Sequence, residues 1–352
     1  MPDLRCTLTA QAARFPEMEP RDAVKLIFQG VRGGGHLIDS PASSLSRLEG
    51  EMAGLSPDGQ EPLIEDIGGA FCRLHLRAAL REGLSARTVS GLFVLSAEKG
   101  QVGELEGGLA ALGELGELGK MPFSAAECAR YIAWYRQNGC PAVSHSEAYR
   151  AAYRPAYRVI AREYVRFLPL FIALDVALER AGEGGHVSLA IDGRCGSGKT
   201  TLAALLERLY PARVVHMDDF FLPPTLRTPQ RLAQPGGNVH YERFMAEVAA
   251  GVRSGGAIAH RVFDCSRGDY GPEKGLPAAP LTVVEGVYCM HPEMEPLYDV
   301  TAFLDIAPDE QRRRIACRNG EQGLRVFEQK WIPMEENYFS SLRVRERCGI
   351  CL

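Results

Sequence analysis

The sequence predicts a three-layer α/β/α domain with a central parallel sheet, preceded by a mostly helical N-terminal domain. Three observations lead to this prediction. The second half of the chain alternates short apolar runs with helical patterns, an order that gives a parallel sheet covered on both faces. One of these runs, residues 187–191, leads directly into a glycine-rich loop and then into a helix-forming stretch. Residues 1–160, in contrast, show mainly helical periodicity.

The N-terminal part, residues 1–160, is expected to be a domain of its own, with residues 161–352 forming the second. Residues 85–97 fit a helix, and 71–81 fit a strand that runs into a helix, although periodicity alone does not decide. Gly-Glu-Leu occurs three times in residues 103–120, which indicates an acidic, weakly ordered connection. Beyond it, Ser124 and Glu127 have the spacing of a capping box that opens a further helix.

A Tyr-Arg pair recurs every four residues, at 149–150, 153–154 and 157–158. On a helix this spacing stacks the tyrosines on one face with the arginines beside them, although Pro155 interrupts a continuous helix. One interpretation is aromatic packing with solvated arginine heads. The other is an arginine row that meets an anionic ligand or the second half of the chain. Residues 157–183 are expected to form an amphipathic helix that leads into the second domain.

Residues 193–200 read GRCGSGKT and match G-x-x-x-x-G-K-[ST] at every fixed position. Glycines let backbone N–H groups surround phosphate oxygens, and the N-terminus of the following helix adds roughly half a positive charge. The motif places Lys199 at the β- and γ-phosphates and the Thr200 hydroxyl on Mg²⁺. We therefore predict a P-loop that binds a nucleoside triphosphate through Gly193, Arg194, Cys195, Gly196, Ser197, Gly198, Lys199, Thr200 and Thr201.

Two further predicted strands end in carboxylates. Strand 213–217 is followed by Asp218 and Asp219, and strand 281–284 by Glu285. In a parallel sheet these side chains emerge at the edge where the P-loop lies. There they can hold Mg²⁺, and one can accept the proton of an attacking hydroxyl, with a helix cap or turn as the structural alternative. The remaining predicted elements are a strand at 300–306 and helices at 238–252, 309–318 and 327–342.

From about residue 187 to residue 348 the chain resembles the uridine kinase and phosphoribulokinase group of P-loop kinases. The resemblance rests on the segments DGRCGSGKTT, HMDDFF, GGNVHYERF, VFDCSR, VVEGVY, FLDIAP and RRIACRNG. It implies transfer of the γ-phosphate of ATP to a hydroxyl, with Asp218 as catalytic base and Thr200, Asp218 and Glu285 holding Mg²⁺. It also implies an arginine lid within residues 312–318 that closes over the triphosphate.

The lid arginines are expected to be Arg314 and Arg318, which are four residues apart and share a helix face. Together with Lys199 and Asp218 they complete the predicted catalytic set, because positive charge there would stabilise the transferring phosphoryl group and exclude water. A solvated helix face is the competing interpretation of these arginines.

The acceptor is expected to contact five residues, by the same resemblance: Asp219, Phe221, His240, Phe263 and Arg267. The sequence departs from a uridine kinase here, since Phe221 stands where a tyrosine is typical and no histidine lies between Asp264 and Arg267. A pyrimidine pocket discriminates mainly through such polar groups. A nucleoside is favoured by resemblance, and another alcohol, such as a sugar phosphate or a pantothenate-like acid, stays open.

Composition excludes several other classes. The net charge of −4 gives no reason to expect nucleic acid, and no stretch is long and apolar enough for a membrane span. The N-terminus lacks the apolar region of a secretory signal, so a cytoplasmic location with unpaired thiols is expected. The expected partners are ATP and a small-molecule alcohol, and homo-oligomerisation is left open.

Two alternatives of other kinds remain. In the first, the second domain senses ATP and the N-terminal domain binds a protein partner, so that the chain is a regulator. In the second, the chain is bifunctional, and His36, His75, His145 and the Tyr-Arg pairs form a separate site in the N-terminal domain.

Overall fold

The computed structural model describes residues 4–264 and 266–352. The chain divides into two compact units, Met1–Leu168 and Pro169–Leu352. The first unit contains helices α1 (Leu4–Arg14), α2 (Pro20–Arg32), α3 (Pro41–Ala53), α4 (Leu76–Glu82), α5 (Ala86–Ala97), α6 (Leu105–Glu117), α7 (Ala125–Gln137) and α8 (Glu147–Tyr153). Its strands are β1 (Ile64–Asp66), β2 (Phe71–His75) and β3 (Tyr157–Ala161), in an antiparallel sheet of order β1-β2-β3.

Strand β3 corrects the expectation of one amphipathic helix over 157–183. Tyr157–Ala161 pairs antiparallel with β2, in the register Phe71↔Ala161. The reason lies just upstream, because Arg154 ends α8 with a left-handed φ of 43° and Pro155 follows it. Residues 71–81, which periodicity left undecided, form strand β2 followed by helix α4, and Ser124 caps α7 with Glu127 as predicted.

Helix α6 shows that the prediction of a weakly ordered connection at 103–120 was wrong. Its leucines at 105, 109, 112 and 115 are buried and follow helical spacing. Two of the glycines in this segment, Gly108 and Gly116, have a packing role. A Cβ on Gly108 would lie only 2.4 Å from the Ile27 side chain of α2, so the missing side chain lets the two helices approach.

A buried ionic network lies at the centre of the first unit. The Arg73 guanidinium is fully buried, lies 3.3 Å from the Glu65 carboxylate and donates to the Gln29 side chain at 2.9 and 3.1 Å. Its charged end also sits 4.5 Å from the centre of the Tyr157 ring. Gln11 donates to Glu65 at 2.7 Å, so both charges are paired and hydrogen-bonded, as buried charges must be.

The second unit contains α9 (Leu168–Ala181), α10 (Lys199–Leu209), α11 (Pro229–Leu232), α12 (Tyr241–Glu247), α13 (Ala249–Ser254), α14 (Pro308–Val326), α15 (Ile332–Leu342) and α16 (Val344–Arg347). Its strands are β4 (Val187–Gly193), β5 (Ala212–His216), β6 (Ile258–Asp264), β7 (Asp269–Leu276), β8 (Leu281–Glu285), β9 (Val300–Leu304) and β10 (Ile350–Cys351). Strands β6 and β7 form an antiparallel hairpin that the sequence analysis did not predict.

The remaining strands form a parallel sheet of order β10-β9-β4-β8-β5. The four strands predicted from apolar runs are confirmed, and β10 adds a fifth. Strand β4 lies at the centre, and all seven of its residues are buried. The loop that leaves β4 therefore opens at the same sheet edge as the ends of β5 and β8.

Two of the predicted helices are less regular than expected. The helix over 238–252 is divided into α12 and α13 at Val248, and α14 is kinked at Gly320, whose φ is 71°. A π-helical turn, Phe327–Trp331, joins α14 to α15. No helix in residues 4–264 and 266–352 is long and apolar enough to cross a membrane, and the cysteines within those residues are unpaired.

Replacement of Glu65 by Gln should destabilise the protein and change its acid unfolding. Burial raises the pKa of Glu65, but the contacts with His75 and the charge of Arg73 outweigh it and lower the pKa from 4.5 to about 2. Ionised Glu65 therefore stabilises the fold above pH 4.5, and this contribution is lost as the pH falls towards about 2. We expect a loss of about 3 kcal/mol at pH 7 for Glu65→Gln, measured by urea unfolding.

The matched control is Glu114→Gln, which removes a half-exposed ion pair with Arg5 and should cost less than about 1 kcal/mol. A loss for Glu65→Gln that is the same at pH 3 as at pH 7 would contradict the ionic origin of the effect.

Candidate active site

The glycine-rich loop connects the end of β4 at Gly193 to the start of α10 at Lys199. Gly193, Gly196 and Gly198 have φ values of 138°, 77° and 100°, which side chains with a Cβ rarely adopt. At Gly193 space excludes a side chain as well, because a Cβ would lie 2.1 Å from the carbonyl oxygen of Leu304 on β9. The two fixed glycines therefore have different causes: Gly198 is required by its backbone angle, and Gly193 by both its backbone angle and close packing.

Lys199 lies inside this loop. Its ammonium donates to the carbonyl oxygens of Gly193 at 2.7 Å and of Arg194 at 3.0 Å. An ammonium has three N–H donors, so these two bonds hold the loop in a curl and leave one donor for another acceptor.

Helices α14 and α15 hold the rest of the loop. Gln311 donates to the carbonyl oxygen of Cys195 at 3.0 Å, and Arg314 donates to that of Gly196 at 3.0 Å. The buried Glu335 carboxylate accepts from the Cys195 backbone N–H at 3.0 Å. Both helices come more than 100 residues later in the chain, so the loop conformation depends on tertiary contacts as well as on its glycines.

The Glu285 carboxylate at the end of β8 joins two neighbouring elements. Its Oε1 atom accepts from the Thr200 hydroxyl at 3.1 Å and lies 2.6 Å from His216 Nδ1 at the end of β5. His216 and Glu285 are paired in the β5–β8 register. The hydrogen bond with Glu285 raises the pKa of His216 although burial opposes it, so the imidazole carries more positive charge near neutral pH than a free histidine.

Asp218 follows β5 in the short helical turn Met217–Phe220, and its carboxylate reaches solvent through the cleft described next. Partial desolvation of the carboxylate by the surrounding protein raises its pKa above 3.8, and the negative charge of Glu285 raises it further. The charges of Lys199 and His216 act in the opposite direction. The structure thus brings a carboxylate with a raised pKa close to the cation of the glycine-rich loop.

A cleft of about 770 Å³ brings most of the predicted site together, and we call it the loop cleft. Predicted residues that line it are Cys195, Gly196, Gly198, Lys199, Thr200, Thr201, Asp218, Phe221, Glu285, Arg314 and Arg318. Residues that line it without having been predicted include Arg227, Asn238, Tyr288, Asn319, Phe327, Trp331 and Glu335. Arg318 donates to Asn319 at 2.8 Å and sits 5.7 Å from the Phe327 ring.

The other predicted site residues lie outside the lining of this cleft. In the loop, Gly193 packs against β9, the Ser197 side chain is buried, and Arg194 pairs with Glu336 at 2.6 Å and with Asp305. These contacts explain why the three residues do not face the cleft, although the motif includes them.

Three of the five predicted acceptor contacts, Asp219, His240 and Phe263, are engaged around the β6–β7 hairpin. The Asp219 carboxylate lies 2.9 Å from His260 Nε2, and His240 Nδ1 lies 2.9 Å from the Tyr270 hydroxyl. Phe263 is buried with its ring edge against Tyr270, and Arg267 is exposed. The hairpin was not foreseen, so the sequence could not show that these side chains already have partners in the fold.

Asp192, directly before the loop, is a buried residue that supports the loop and that the motif analysis missed. Its buried carboxylate accepts from the backbone N–H groups of Gly193 at 2.7 Å and Met290 at 3.0 Å, and from the Tyr338 hydroxyl at 2.8 Å. Burial raises its pKa above 3.8 although these hydrogen bonds lower it. Its position between the strand and the first glycine was the available signal, whereas nothing marked Tyr338.

The oxygen atoms of Thr200, Asp218 and Glu285 are the donors in the loop cleft that suit a hard cation such as Mg²⁺. Within the described residues, no group of three or more His, Cys, Asp or Glu side chains is placed to hold a metal ion. Mg²⁺ usually takes one or two carboxylates from the protein and its remaining ligands from water and phosphate, and Asp218 and Glu285 offer two carboxylates.

No family model matches the chain. Among solved structures, the chain is similar to one described as a possible uridine kinase from Bacillus stearothermophilus. The two are 19% identical, with a TM-score of 0.39, and the match covers 52% of this chain and 99% of the other.

Replacement of Tyr338 by Phe should destabilise the unit that contains the loop. The change removes a hydrogen bond to the buried Asp192 carboxylate, and bonds to charged groups contribute about 1.5–3 kcal/mol. We expect a loss of that size in urea unfolding. The matched control is Tyr298→Phe, since the buried Tyr298 hydroxyl has no hydrogen-bond partner within the described residues, so that its removal should be neutral or stabilising. Equal losses for the two variants would contradict the role given to Asp192.

Proposed function

We propose that the Pro169–Leu352 unit is an ATP- and Mg²⁺-dependent kinase that transfers the γ-phosphate to a hydroxyl of a small molecule. The observation that supports this best is the meeting of Lys199, Thr200, Asp218 and Glu285 in the loop cleft. Phosphoryl transfer requires little more of a protein than positioning and electrostatic stabilisation. A cationic loop opposite a carboxylate base meets both requirements.

The loop would bind the phosphates. Its backbone N–H groups and the N-terminus of α10 favour anions, and Lys199 keeps one donor beyond the two that hold the loop. Thr200, Glu285 and Asp218 would hold Mg²⁺, which supplies positive charge against the phosphate oxygens. The Glu285 carboxylate is oriented for this by His216, which approaches it from β5.

Asp218 would accept the proton of the attacking hydroxyl. Its raised pKa makes the ionised carboxylate a stronger base than that of an ordinary aspartate. Arg314 and Arg318 line the same cleft from α14 and would neutralise charge on the transferring phosphoryl group. Arg314 also contacts the loop through the Gly196 carbonyl, so its position is coupled to that of the phosphate site.

The acceptor we favour is a nucleoside. The Phe221 and Trp331 rings lie 6.4 Å apart in the loop cleft and offer aromatic surface to a planar base. Asn238, also in the cleft and almost fully buried, offers amide groups for hydrogen bonding. A sugar phosphate or a pantothenate-like alcohol is the alternative acceptor, because Asp219, His240 and Phe263 are engaged around the hairpin.

A coupled ADP-release assay with a panel of nucleosides and other alcohols tests the proposal. One acceptor should stimulate ADP release, and Asp218→Asn should lower kcat for it by about 10²–10⁴-fold, because a general base contributes that much. The matched control is Asp309→Asn. The Asp309 side chain is fully exposed on α14, so this substitution should leave kcat unchanged. Slow ATP hydrolysis that no alcohol stimulates would instead favour the ATP-sensing regulator.

The pH dependence of kcat/KM should reflect the raised pKa of Asp218. Only the ionised carboxylate accepts a proton, so activity is present above this pKa and is lost as the pH falls through it. Because the pKa is raised, the acidic limb should lie above pH 3.8. The measurement is a kcat/KM profile from pH 4 to 9 with the identified acceptor, and a profile that stays flat down to pH 4 would contradict Asp218 as the base.

A further inference from the structure

A concave surface of the first unit concentrates positive charge. Its volume is about 520 Å³, and five cationic side chains line it together with a single carboxylate: Lys25, Arg77, Arg150, Arg154, Arg158 and Glu51. We call it the basic pocket. From this juxtaposition we infer that the first unit binds a small organic molecule through a phosphate monoester group, independently of the kinase activity proposed for the second unit.

The Tyr-Arg pairs of the sequence account for most of this charge. Arg150 lies on α8, Arg154 is the left-handed residue that ends α8, and Arg158 lies on β3. A continuous helix would have placed the three arginines in a straight row. The turn at Arg154 and Pro155 instead lets them line one pocket. Of their tyrosine neighbours, Tyr149 is buried, and its ring stacks on His145 at 4.2 Å.

Most of the positive charge in the basic pocket lacks an acidic partner. Glu51 accepts from Arg158 at 2.6 Å, and Glu61 lies 3.6 Å from Arg77. Within the described residues, Lys25, Arg150 and Arg154 form no ion pair. Lys25 donates to the Val143 carbonyl oxygen at 3.0 Å. A dianionic group would supply the negative charge that these three cations do not receive from the protein.

Burial and nearby positive charge lower the pKa values of two side chains that line the pocket. Burial and the charge of the buried Arg73 together lower the pKa of Lys25 to about 8, although Asp22 opposes them. Burial likewise lowers the pKa of His145 to about 4 despite its hydrogen bond with Asp22, with Arg73 and Lys25 adding to the effect. His145 is therefore neutral at pH 7, and the buried Asp22 carboxylate lies 2.8 Å from its Nδ1 atom.

The shape and lining of the basic pocket favour a small phosphorylated molecule over a polymer. Its volume falls within the range of small-molecule sites. Guanidinium groups match the oxygen geometry of phosphate and can bind it in pairs. Beside them, Leu37, Leu55 and Pro155 form an apolar wall against which an organic moiety can pack. The remainder of the chain is acidic overall, so the positive charge is local.

Isothermal titration of the full chain with phenyl phosphate and with inorganic phosphate tests the inference. The titrations use a Lys199→Ala background, because the glycine-rich loop is itself expected to bind phosphate. Phenyl phosphate should bind more tightly than inorganic phosphate, since only the former reaches the apolar wall. Arg150→Gln and Arg154→Gln, both at exposed side chains, should each weaken binding by about tenfold or more.

The matched control is Arg87→Gln, an exposed arginine of the same unit outside the basic pocket, which should leave binding unchanged. Thermal unfolding of each variant shows whether it is folded. Failure of phenyl phosphate to bind, or binding that neither pocket variant weakens, would overturn the inference. Binding of a heparin fragment without binding of phenyl phosphate would also overturn it, in favour of a surface for polyanions.

Discussion

The close approach of β4 to β9 at Gly193 is the constraint on which the loop cleft depends. A side chain at this position would meet the carbonyl oxygen of Leu304, so the two parallel strands stay in register only because residue 193 is glycine. Immediately before it, the buried Asp192 carboxylate binds the first loop N–H and the Tyr338 hydroxyl of α15. The start of the loop is therefore held from two directions, and its curl around Lys199 follows from that anchoring.

Because the sheet is parallel, residues that follow different strands meet at one edge of it. Asp218 and Glu285 are distant in sequence, yet they meet because β5 and β8 are neighbours that end at the same edge. His216 links the two strand ends through its contact with Glu285. Helices α14 and α15 close the arrangement from the other side, and Arg314 reaches the loop backbone. One sheet edge thus brings the glycine-rich loop, Lys199 and the side-chain oxygens of Asp218 and Glu285 together without any long-range motif in the sequence.

How much the sequence revealed depended on how local each signal was. The loop, the strand-end carboxylates and the pair Arg314 and Arg318 were predictable, because each rests on a short pattern with a direct physical meaning. The acceptor contacts were not, since His240 and Phe263 are engaged around a hairpin whose strands carry weak apolar alternation. In the first unit, the glycines of α6 suggested flexibility, whereas Gly108 serves close packing against α2. Composition alone does not separate these two uses of glycine.

The contrast between the acidic chain and its basic pocket affects how an anion would reach that pocket. With a net charge of −4, the molecule repels anions weakly at long range. At physiological salt, charges separated by more than about 8 Å are largely screened. An approaching dianion would therefore experience attraction only at the rim of the pocket, without the electrostatic steering that accelerates association elsewhere. Selectivity would then arise from how long a molecule stays rather than from how fast it arrives.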